Sequence, residues 1–276
     1  MLKIMPRLGQ GTWHMGENQA TWAQEVAALR TGIDTGMVLL DTAEMYGEGR
    51  AESLVGEAIR GYDRDSLYIV SKVYPHNAGG QRLIEHCGAS LKRLGVDTLD
   101  LYLLHWRGSI PLEETVAGME ALRRAGKIRR WGVSNFDTHD MEQLMRLPGG
   151  ESCATNQVLY HLGSRGIDYD LRPWMQPRQM PVMAYCPLAQ AGALRAGLLQ
   201  NAAVRAVAEK HNISPMQVLL GFVLAQNGVV AIPKAATAAH VLENAAMART
   251  HLTPDDLAAL NAAYPPPLHK LPLDIE

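Results

Sequence analysis

The apolar positions of this chain gather in eight short runs, RLGQGTW, MVLLDT, LYIVSKV, LDLYLLH, IRRWGVSN, CATNQV, PVMAYCP and GVVAIPK. The runs are rich in Val, Ile, Leu and Tyr with little polar alternation, the pattern of strands covered on both faces of a parallel sheet. Between them the spacing becomes helical: Trp22, Val26, Leu29 and Ile33 fall on one face, and Ile84, Cys87, Leu91 and Leu94 on another. Ser214 followed by Pro215 marks a helix start, as does Thr253 followed by Pro254, with Asp256 placed to reach back to the cap. Strand and helix alternating in this way predict an α/β fold, one domain over residues 1–276: a closed (β/α)8 TIM barrel with an additional C-terminal helix after strand eight. An open doubly wound sheet is the competing architecture. Its first strand should run into GxGxxG, and GQGTWHMG does not match.

In such a barrel the C-terminal ends of all strands open on one face, so Asp41, Lys72, His105, Ser134, Asn135, Gln157, Tyr185 and Lys234 converge there. Taken singly, each has a plain explanation: an Asp after a strand forms a turn, a strand Lys reaches for solvent, a His is satisfied in the core. Taken together with Tyr46, acid-base types at three successive strand ends point to chemistry. A phenol has an ordinary pKa of about 10, and a nearby ammonium lowers it. Lys72 is placed to supply that charge to Tyr46, Asp41 to hold Lys72, and His105 to orient an oxygen or relay a proton. A proton donor alone reduces nothing, so a carbonyl substrate here implies a nicotinamide or flavin as hydride source, with Tyr185 offering a face for its ring.

Composition narrows the classes. The net charge of -2 leaves no basic stripe for nucleic acid and no polybasic segment for a membrane. No run approaches transmembrane length and the start MLKIMPRLGQGTW has no long apolar stretch, so a cytoplasmic protein with small-molecule partners is expected. Cys87, Cys153 and Cys186 are widely spaced and read as reduced core thiols. Without CxxC, an HxH cluster or GxSxG, neither a metal site nor acyl transfer is supported.

The segments LLDTAEMYGEG, VSKVYP, LDLYLLHW, GKIRRWGVSNF, ATNQVLYH, AYCPLAQ and AIPKAAT, with HVLEN after it, together resemble the aldo-keto reductases in order over nearly the whole chain. Within that family the likeness is to bacterial reductases of the methylglyoxal and diketogluconate type. The resemblance implies reduction of small aldehydes and ketones by NADPH, with some NADH use, in a monomer. It makes Tyr46 the acid, with Asp41, Lys72 and His105 beside it, and places Ser134, Asn135 and Gln157 on the nicotinamide carboxamide with Tyr185 stacked on its ring. Gly11, Thr12, Pro187 and Ile232 would line the cofactor. The stretch Leu188 to Leu194, including Gln190 and Gly192, would cover the pyrophosphate. Lys234 would meet the 2'-phosphate, and Glu243 and Asn244 the adenine. Ala235 and His240 stand where many NADPH-using members carry serine and arginine, so Lys234 is left with most of the phosphate grip. Trp13 and Trp106, with Tyr46 and His105, would wall the substrate. A short N-terminal hairpin and a brief C-terminal tail leave fewer walls and imply a small, loosely held substrate. A non-catalytic NADPH-binding reductase-like subunit is the alternative.

Overall fold

The computed structural model describes residues 3–276. One sheet carries eight parallel strands in chain order: β1 (Gly9–Gly11), β2 (Leu39–Asp41), β3 (Tyr68–Val73), β4 (Leu99–Leu104), β5 (Ile128–Ser134), β6 (Cys153–Leu159), β7 (Val182–Tyr185) and β8 (Val229–Ala231). Parallel bridges from Leu8 to Ala231 and from Gly11 to Lys234 bring β8 back to β1. Gly11 is required at that closure, because a Cβ there would lie 2.9 Å from the Ile232 carbonyl oxygen.

Helices fill the outside. They are α1 (Trp22–Asp34), α2 (Arg50–Ala58), α3 (Gly80–Leu94), α4 (Leu112–Arg124), α5 (Thr138–Met145) and α6 (Leu171–Met175), followed after β7 by α7 (Ala193–Gln200), α8 (Ala202–His211) and α9 (Pro215–Leu224), and after β8 by α10 (Ala238–Ala246) and α11 (Pro254–Ala263). Seven of the eight runs read from the sequence contain a strand whole, β6 runs one residue past CATNQV to Leu159, and α11 is the expected extra helix. Capping boxes start α9 at Ser214 and α11 at Thr253, as their sequences require. One helix face differs from expectation. Ile84 is 45% exposed while Leu83 is fully buried. The buried stripe of α3 runs through Leu83, Cys87, Leu91 and Leu94, and at about 100° per residue Ile84 falls on its rim.

Two apolar layers result. Met5, Leu39, Tyr68, Val70, Leu101, Leu103, Met183, Val230 and Ile232 fill the barrel, while the larger cluster packs sheet against helices. The floor is closed by Met5 and by buried Asp100, which pairs with Arg64 at 2.7 Å, Arg129 at 3.3 Å and Lys3 at 3.4 Å. Strand side chains alternate, so continuing the inward-facing series upward from Leu39, Val70 and Leu103 reaches Asp41, Lys72 and His105. That parity, set by the apolar filling below, turns the polar strand ends into the barrel mouth.

After α11 the chain crosses the outer surface and returns to the mouth. Lys270 pairs with Asp170 at 3.3 Å, and the Ser164 hydroxyl donates to Asp274 at 2.5 Å. The brief tail does reach the pocket and adds a wall where the sequence implied fewer.

Candidate active site

Lys72 is fully buried, and its ammonium donates at 2.6 Å to Asp41 Oδ1, at 2.9 Å to the Thr42 carbonyl and at 3.2 Å to the Tyr46 hydroxyl oxygen. An ammonium has three N–H donors and all are spent. Asp41 is held in turn: its Oδ2 accepts from Gln157 Nε2 at 2.8 Å and its backbone carbonyl from the Thr12 hydroxyl at 2.9 Å. Burial disfavours the Lys72 ammonium, but the Asp41 charge and the Tyr46 oxygen outweigh it and raise its pKa, so Lys72 stays charged.

Tyr46 stands in the loop after β2, its ring edge-on to His105 with centroids 5.7 Å apart. Burial raises the phenol pKa above its ordinary value, Lys72 draws it back, and burial prevails. The expected lowering is thus present but outweighed, and the phenol keeps its proton. His105 is buried, with its pKa lowered to about 2 by burial and by the Lys72 charge. It is a neutral imidazole, suited to orienting an oxygen and not to relaying a proton as a cation.

A cavity of about 630 Å³ opens at the mouth. Gly11, Thr12, Trp13, Asp41, Tyr46, His105 and Trp106 line it from β1 to β4, and Ser134, Asn135, Gln157, Tyr185, Pro187, Leu188, Gln190, Ile232, Lys234, Ala235 and His240 line the rest. Asn135 adopts a positive φ of 58° and accepts from the Tyr185 hydroxyl at 3.0 Å, fixing the Tyr185 ring beside the mouth. Lys72 lies beneath the wall. Gly192, Leu194, Glu243 and Asn244 do not line the cavity: Leu194 is 44% exposed, Glu243 is exposed on α10, and Asn244, one helical turn beyond His240, is buried.

The cavity also holds groups that sequence reasoning missed. Arg195 lines it and donates to the carbonyls of Leu188 at 3.0 Å and Ala189 at 3.1 Å. Cys186, expected to be core, lines it as well, while Cys87 and Cys153 are buried as anticipated. Glu276 reaches it from the tail. A lone cation in a connection otherwise short of charge was the available signal for Arg195. Nothing local marks Glu276.

Residues 7–265 match the Aldo/keto reductase family. The chain belongs to that family. Among curated aldo/keto reductases it is 62% identical over 271 residues to the methylglyoxal reductase YeaE of Escherichia coli (strain K12), covering 98% of this chain and 95% of that protein. It is 34% identical to the glyoxal reductase of Bacillus subtilis (strain 168), covering 94% and 88%. An aldo-keto reductase structure from Klebsiella pneumoniae in complex with NADPH superposes with a TM-score of 0.95 at 57% identity, covering 98% of this chain and 95% of that one. A second structure from the same organism, with NADP and acetate, gives 0.96. No helix among the described residues is long and apolar enough to cross a membrane.

Proposed function

We propose that this reductase transfers hydride from NADPH to small aldehydes and ketones, with methylglyoxal and other short dicarbonyls foremost and aromatic aldehydes and keto sugars also accepted. Tyr46 is the acid. The observation that carries this reading is the direction of the Lys72–Tyr46 hydrogen bond. Because Lys72 donates to the phenolic oxygen, the phenol hydrogen is left for the substrate.

The cavity suits NADPH on its chemistry. It offers an aromatic face at Tyr185, amide and hydroxyl groups at Ser134, Asn135 and Gln157, and cations at Lys234 and Arg195. Those residues would hold it, with His240 adding a further contact and Glu243 and Asn244 meeting the adenine beyond the rim. Lys234 carries most of the preference for NADPH over NADH. Bound there, a reduced nicotinamide supplies the hydride that no side chain can give.

As negative charge develops on the carbonyl oxygen, Tyr46 donates its proton to it. Lys72 stabilises the phenolate left behind, Asp41 keeps Lys72 charged, and neutral His105 orients the oxygen. Trp13 and Trp106 exclude water from the other sides of the substrate. The 62% identical methylglyoxal reductase supports the choice of substrate. We further propose a cytoplasmic monomer, one domain over residues 1–276.

Replacing Tyr46 with Phe removes the acid and leaves the ring. Turnover should fall roughly 10²- to 10⁴-fold while NADPH affinity by fluorescence titration changes little. Retained turnover in Tyr46→Phe would refute the acid assignment. Wild-type protein that binds NADPH yet never oxidises it with any simple aldehyde would favour the non-catalytic alternative.

A further inference from the structure

We propose that Glu276 sets the charge preference of the substrate pocket, disfavouring carbonyl compounds that carry a negative charge and leaving neutral ones as substrates. The inference rests on the carbonyl-reduction reading above and adds to it a substrate class.

The tail is fastened before it reaches the mouth. Asp274 accepts from Ser164 in the connection after β6 at 2.5 Å, and Leu271 and Pro272 pass within 3.7 Å of where a Gly166 Cβ would stand. Two residues beyond that anchor, Glu276 Oε2 accepts from the Cys186 thiol at 2.8 Å. Cys186 directly follows Tyr185 and adopts a positive φ of 48°, a conformation that costs energy for a side-chain-bearing residue and persists only where its surroundings hold it. Both Cys186 and Glu276 face the cavity that contains Tyr46 and His105. The thiol is near enough that its charge would act on the phenols of Tyr46 and Tyr185 alike. The carboxylate therefore lines the same cavity as the acid, held through a thiol that lies within electrostatic reach of it.

Its immediate hydrogen-bond partner carries no charge. Burial and the carboxylate itself push the Cys186 thiol far above its ordinary range, so the partner of Glu276 is a neutral S–H. Asp41 is matched by Lys72 at 2.6 Å, and that ammonium has no donor to spare. Trp13, Tyr46, His105 and Trp106 are neutral; of the two cations of the cavity, Lys234 follows β8, while Arg195, whose charge also acts on the Cys186 thiol, is drawn onto the Leu188 and Ala189 carbonyls. Among the described residues, a substrate carboxylate would find no cation with a donor to spare bonded to Tyr46, and an acidic group in the same cavity.

The test uses two para-substituted benzaldehydes, the anionic 4-carboxybenzaldehyde and its neutral ester methyl 4-formylbenzoate, with saturating NADPH, and reads the change in their ratio between proteins. The wild-type protein should prefer the ester, and Glu276→Gln should lower the ester-to-acid ratio of kcat/KM about fivefold, the scale of one partly screened charge. Glu276→Lys should lower it further. Raising salt to about 0.5 M should shrink the ratio more in the wild type than in Glu276→Gln, a difference that a packing role does not produce. Equal ratios in all three proteins would overturn the inference. So would an unchanged ratio together with tighter NADPH binding by Glu276→Gln, which would assign the carboxylate to the phosphates instead. Failure of the wild type to reduce the neutral ester would count against the reduction reading itself, whereas reduction of both aldehydes without regard to residue 276 would count against this inference alone.

Discussion

Lys72 brings an ammonium to a place from which water is excluded, and the cost is met only because Asp41, the Thr42 carbonyl and the Tyr46 oxygen each take one of its hydrogens. The same burial keeps the Tyr46 phenol protonated and the His105 imidazole uncharged. A consequence for pH dependence follows. The proposed mechanism uses the neutral phenol and neutral imidazole, and neither titrates near neutrality, so kcat for reduction should be flat between about pH 6 and 9. An inflection near pH 6.5 that vanished in His105→Gln would contradict this. Stability behaves differently: unfolded His105 binds a proton below about pH 6.5 and folded His105 does not until about pH 2, so stability is lost as pH falls through that window. At this scale Asp41, Lys72 and His105 were legible from the sequence, because each continues the inward parity of an apolar strand. The net direction of the Tyr46 shift was not, since it depends on how much burial opposes one nearby charge. Glu276 was invisible for another reason: it acts through a contact with Cys186, 90 residues earlier in the chain.

At the scale of elements, local chemistry placed the helix starts and tertiary packing settled the rest. Ile84 illustrates the second case: α3 is rotated so that Leu83 faces the sheet, a choice made by what lies beneath the helix and not by its own spacing. Thr253 and Asp256 illustrate the first. Asp256 closes the capping box of α11, and it also accepts from Lys210 at 2.7 Å and from His211 at 2.6 Å, tying α11 to α8. Although burial acts against it, these partners hold the Asp256 carboxyl well below the usual carboxylate range. Asp256→Ala therefore loses a cap and an anchor together and should destabilise the protein by about 2 kcal/mol, read from the urea midpoint, with kcat little changed because α11 lies outside the cavity. The loss should be largest above about pH 4, since protonating the wild-type carboxyl at lower pH removes the same contacts. A variant as stable as the wild type at pH 7 would show that α11 is held by its apolar contacts alone.

For the whole molecule, the barrel concentrates its polar groups at one end, and the order of the strands joins residues as distant as Asp41 and Gln157 into one network. Ser134, Asn135, Gln157, Tyr185 and Lys234 arrive on four different strands or the turns after them, so a dinucleotide bound across the mouth would bridge β5 to β8 and be lost on unfolding. Ligand that binds only the folded state stabilises it by mass action. NADP⁺ at a hundred times its Kd should contribute about 2.7 kcal/mol and raise Tm by roughly 5–10 °C. The same concentration of NAD⁺, lacking the phosphate that Lys234 is proposed to grip, should raise it by less. Lys234→Met should bring the two shifts together by weakening the response to NADP⁺ and not by strengthening that to NAD⁺. Equal Tm shifts for both dinucleotides in the wild type would locate the phosphate preference elsewhere, with Arg195, fixed on the Leu188 and Ala189 carbonyls, the next cation of the cavity to substitute.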